Sequence, residues 1–147
     1  DYYKFMNVAK KSILPGEEVI GAVMQAELRT PLVTLFGHAY TRLKAPAHIL
    51  VRTDRELIVA VEEKQEAWSG SHKYGSIRTY IPLAKIAEVD FLAEAPYVRL
   101  SVHLVGGEEI NLDFAAKQEP DLRRLASTPT DYSPCASGAE NRRLRAS

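Results

Sequence analysis

At 147 residues the chain has room for one core with short appendages, and a hydrophobic content of 46% is enough to fill it. Basic and acidic residues number 19 each, so the net charge is zero, which argues against a nucleic-acid partner because phosphate binding draws on a basic excess. The single cysteine, Cys135, excludes an internal disulfide framework, and no apolar run approaches the ~18–20 residues of a membrane-crossing helix. The N-terminal residues lack the basic, then apolar, then small pattern of a secretory signal, so the expected location is cytoplasmic.

The chain opens on a short amphipathic pattern over residues 1–14. Tyr2, Phe5, Met6, Ala9 and Ile13 recur at helical spacing opposite Lys4, Asn7, Lys10 and Lys11, and Pro15-Gly16 ends the run. Such a helix either docks against the main domain, the expectation for about three turns, or lies on a membrane surface. From Glu17 the period changes to two, and alternation to Leu28 predicts one long strand. Residues 30–47 are ambiguous. They hold the apolar cluster Leu32, Val33, Leu35 and Phe36, then Gly37, Tyr40 and Leu43. A strand pairing back on Glu17–Leu28, a helical turn and an exposed apolar loop all fit.

Further along, His48–Thr53 and Glu56–Glu62 read as strands joined by a tight turn at Asp54-Arg55. Residues 64–76 are polar, contain two glycines and read as a longer hairpin loop. Strands follow at 78–83 and 86–92, with Pro82 marking a strand end or an edge. Tyr97–Val105 and Glu108–Phe114 flank Gly106-Gly107, a pair suited to the positive φ angles of a two-residue hairpin turn. A short helix at 120–126 offers Leu122, Leu125 and Ala126 on one face. The last segment, 127–147, is rich in Ser, Thr, Pro, Ala and Gly, ends in Arg142, Arg143 and Arg145, and is expected to be disordered.

Leaving the ambiguous interval aside, seven strands in mostly hairpin connection precede one helix, with the domain at 15–126. The stretches LPGEEVI (14–20), ILVRTDRELIVAVEE (49–63), YIPLAKIAEV (80–89) and GGEEINLDF (106–114), in that order, resemble the bacterial pleckstrin-homology-like and GRAM-like domains. The resemblance implies a mainly β fold, a seven-stranded antiparallel sandwich or partly open barrel with a C-terminal helix and, here, a short N-terminal one. It also implies lipid, peptide or protein binding without chemistry. Inositide-binding members gather several cations in the first hairpin; here Arg29, Arg42 and Lys44 are widely spaced with Glu27 nearby, which disfavours specific inositide recognition.

Catalytic signals are lacking. No nucleophile elbow, phosphate-binding loop or dinucleotide fingerprint occurs. The pairs Glu17-Glu18, Glu62-Glu63 and Glu108-Glu109 would place neighbours on opposite faces of a strand, so they read as solubilising charge. His38, His48, His72 and His103 show no metal-ligand spacing, and His103 should face solvent. The reading is therefore a non-catalytic module without cofactor or metal. Its expected partner is a protein or a second copy, with a membrane surface as the alternative and a small enzyme with an unrecognised site as the more distant one. Candidate contact residues are Leu32, Val33, Leu35 and Phe36, with Trp68 and Tyr74 on the following loop. Leu32–Phe36 closing one end of the barrel as core is the expectation against which contact is weighed.

Overall fold

A computed structural model describes residues 2–66 and 72–127. The elements run α1 (Tyr2–Ser12), β1 (Val19–Gln25), β2 (Leu28–Leu35), β3 (His38–Ala45), β4 (His48–Thr53), β5 (Glu56–Glu66), β6 (His72–Pro82), β7 (Ile86–Glu94), β8 (Tyr97–Leu104), β9 (Glu109–Ala115) and α2 (Glu119–Ser127). The fold is mainly β with a C-terminal and a short N-terminal helix, as the sequence predicts. Its strands form three antiparallel sheets, ordered β1-β4-β5-β6, β2-β3 and β7-β8-β9, which do not close into a barrel.

Strand β4 shows why the sequence folds this way. All six residues of HILVRT are buried, because both faces of the sheet are covered. Leu50, with Leu57 and Val59 of β5, points inward against Val98, Leu100, Val102, Leu112 and Phe114 of the three-stranded sheet. Ile49, Val51, Ile58 and Ala60 point the other way, onto Ala9 and Ile13 at the N-terminal helix. That helix is therefore the second cover of the four-stranded sheet. At the other end of the chain, α2 places Leu122 and Leu125 against the inner core, and Arg52 donates from Nη1 to the Leu125 and Ala126 carbonyls at its last turn. Gly21 of β1 is small for a reason: a Cβ there would sit 2.9 Å from Leu125 Cδ1.

The structure departs from the sequence reading at five places. The strand expected to run to Leu28 ends at Gln25, and its partner is β4. The interval 30–47 is neither a strand returning on β1, nor a helical turn, nor a loop; up to Ala45 it belongs to the separate β2–β3 hairpin. The polar stretch after Glu62 is mostly strand, with β5 and β6 paired from Glu56↔Pro82 out to Glu66↔His72. The β8–β9 connection has three residues, not two: Gly107 N donates to Leu104 O, Leu104 N donates to Glu108 O, and only Gly107 takes positive φ, at 88°. That is a turn followed by a left-handed residue, the usual three-residue hairpin. Glu62 also differs from expectation, being buried while Glu63 is exposed.

Candidate functional site

The β2–β3 hairpin stands clear of both sheets. Every residue from 31 to 43 is exposed. Leu32, Val33, Leu35, Phe36, Tyr40 and Leu43 are all about half exposed or more, and Phe36 is 99% exposed. The cluster therefore does not close the sandwich as core. Its apolar area stays in water, and for Phe36 alone that forgoes roughly 1.5–3 kcal/mol of burial.

Register sorts these side chains. Val33 pairs with Tyr40 and Leu35 with His38, and directly opposed residues share a face. Alternation along β3 puts Arg42 on that same face, while Thr34 and Ala39 lie behind it; the register slips again at Lys44. Followed from the tip inward, the finger reads apolar (Phe36 at the turn, then Leu35), then aromatic (Tyr40), then basic (Arg42). Taking about 3.3 Å per strand residue back from Gly37, Tyr40 stands ~10 Å and Arg42 ~17 Å behind the tip. No carboxylate interrupts residues 28–53.

Phe36 and Gly37 are the two turn residues between the paired Leu35 and His38, with φ of 51° and 81°. Positive φ at both is the mark of a type I′ turn, whose first position ordinarily takes Asn, Asp or Gly. A bulky L-residue there is a genuine outlier, costing about 1–2 kcal/mol. The edges of the hairpin are blunted. Pro31 lies in β2, the register slips between Pro31 and Val33 at Leu32, and β3 carries Arg42 and Lys44.

The base is clamped to the sandwich. Tyr97, the first residue of β8, donates its hydroxyl to Arg29 O at 3.2 Å, and Lys44 Nζ sits 4.7 Å over its ring. Lys44 also approaches Asp113 at 3.8 Å. Asp113 accepts from Arg99 Nε at 2.9 Å and Nη2 at 3.2 Å, and that contact holds its carboxyl below the usual range against the opposing effect of burial. Arg29 pairs with Glu27. Arg42 forms no ion pair among the described residues.

Of the sequence candidates, the structure brings Leu32, Val33, Leu35 and Phe36 together on this finger. Tyr74 lies on another hairpin, its backbone opposite Lys64. Trp68 lies outside the described residues. Sequence reasoning did not single out Tyr40, Arg42 or His38 as site residues; the acid-free run from 28 to 53 was the available signal. His103 is half-buried and bonds Asp90 at 3.1 Å. Among the described residues no three His, Cys, Asp or Glu side chains gather as a metal site. No helix there is long and apolar enough to cross a membrane. The chain matches no protein-family model, no curated protein and no solved structure.

Proposed function

We propose that this chain is a non-catalytic, pleckstrin-homology-like module that attaches to the surface of anionic membranes through the β2–β3 finger. The observation that carries the reading is Phe36, almost wholly exposed and held at positive φ on the tip of an acid-free hairpin. Strain and exposure at one residue are costs to the fold, and costs of this kind concentrate where a contact is made. The order apolar, aromatic, basic suits an interface: the tip enters the headgroup–acyl boundary, Tyr40 lies at headgroup level, and Arg42 meets anionic lipid. Insertion stays shallow, because a two-stranded ribbon carries unpaired backbone groups on both edges that hydrocarbon would not satisfy.

Without the finger, the remaining seven strands stand four and three in two sheets with a C-terminal helix, which supports the pleckstrin-homology-like reading. The finger then lies between the first and second strands of that set. Self-association by strand addition is disfavoured at the finger, where Pro31, the bulge and the basic residues blunt both edges. Vesicle flotation tests the proposal. The parent chain is expected to float with vesicles containing phosphatidylserine, less so as salt rises, and a folded Leu35→Asp/Phe36→Asp variant is expected to stay in solution. A parent that remains in solution with every lipid would return the search to protein partners.

A further inference from the structure

A second feature lies at the other end of the sandwich. Strand β8 begins at Tyr97 beside the finger; further along it, Leu100 and Val102 line a cavity of about 360 Å³ between the two sheets. Leu57, Leu83, Ile86 and Leu122 supply more of the wall, and Arg52 is the charged side chain on it. Protein interiors are close-packed, with few voids larger than a water molecule, whereas ligand sites are concave, mostly apolar and hold a few placed polar groups. This space has the second character. An outer groove between β7 and α2, walled by Phe91 and Arg123, shares Ile86, Val89, Ala126 and Ser127 with the cavity, so the two adjoin.

We propose that this cavity binds a single-chain anionic amphiphile, a fatty-acid-like carboxylate, with its chain against Leu57, Leu83, Leu100 and Val102 and its head beside Arg52. The wall selects an aliphatic chain, since almost every side chain on it is branched and apolar. Arg52 selects the head. Arg52 is buried, its guanidinium is fixed in place by the α2 carbonyls, and it favours a carboxylate over an uncharged hydroxyl in apolar surroundings. The adjoining groove lies on the outer side of the same wall, where Arg123, paired with Glu119, is stacked 4.7 Å over Phe91. The site uses no residue of the finger, so it stands or falls apart from membrane attachment.

Calorimetric titration of the full chain with laurate, below its micellar concentration and without vesicles, tests the proposal. Saturable binding of one laurate per chain is expected, with 1-dodecanol at least tenfold weaker. A Leu100→Trp variant, which fills the cavity, is expected to lose laurate while Phe36→Asp retains it; circular dichroism checks that both are folded. Because Leu100→Trp could unfold the chain, Val102→Phe serves as a milder filling variant with the same expected loss. No saturable laurate binding by the parent, or unchanged affinity in a folded filled variant, would overturn the proposal. Equal affinity for laurate and dodecanol would overturn the role given to Arg52.

Discussion

Phe36 is held against its own backbone preference, and nothing in the fold compensates it, for its side chain touches almost nothing but water. Asparagine tolerates the left-handed region far better. Phe36→Asn is therefore expected to stabilise the isolated protein by about 1 kcal/mol, read in urea unfolding, while weakening vesicle binding. A loss of stability would mean that Phe36 packs against the body in solution. His48 presents the opposite case. It is buried edge-on against Phe114, with ring centroids 4.7 Å apart, and its Nδ1 lies 2.8 Å from Pro46 O. Burial lowers its pKa from the ordinary 6.5, outweighing the Pro46 contact and the charge of Asp113, which raise it. The folded chain thus holds the neutral ring more firmly than the unfolded chain does. Its contribution is fully present above pH 6.5 and is lost as pH falls through the folded value. Unfolding free energy should decline on acidification from pH 7 to 5, and His48→Phe should flatten that decline.

At the scale of elements, the finger is an addition to the sandwich and not a member of it. Leu28 and Ala45 at its base are buried, but residues 31–43 contribute no buried side chain. Replacing 31–43 with Asn-Gly is expected to leave a folded protein whose stability changes by no more than about 1 kcal/mol, the typical size of a surface change, while abolishing flotation. Unfolding of that variant would show that the finger supports the core. Much of the rest was legible. The apolar runs in HILVRT and ELIVAVE, the Asp54-Arg55 turn and the Leu122/Leu125 face all lead to the elements found. Other features were hidden for physical reasons. No glycine or proline marks the break after Gln25, since the chain leaves the β1–β4 ladder there without a tight turn. Residues 63–66 and 72–76 carry few apolar side chains, so their strand pairing leaves little pattern in the sequence. Phe-Gly gives no turn signal because phenylalanine is a poor first residue for a type I′ turn. Whether Leu32–Phe36 was core or surface was undecidable, because an apolar cluster reads alike in either place.

For the molecule as a whole, a net charge of zero conceals an asymmetry. The hairpin from 28 to 45 holds Arg29, Arg42 and Lys44 and no acid, which leaves the remainder of the chain at −3. With Arg29 paired to Glu27 and Lys44 close to Asp113, Arg42 is the cation expected to orient the finger toward an anionic surface, an effect that salt screens. The central claim is that the tip enters the interface. Its most direct measurement is the emission of a Phe36→Trp variant against the parent, whose one tryptophan is Trp68, as phosphatidylserine-containing vesicles carrying lipids brominated near the headgroup are added. Entry of the tip is expected to give a blue shift and bromine quenching of the added tryptophan, both lessened at high salt. Emission at position 36 that stays as in water at every lipid concentration would contradict it.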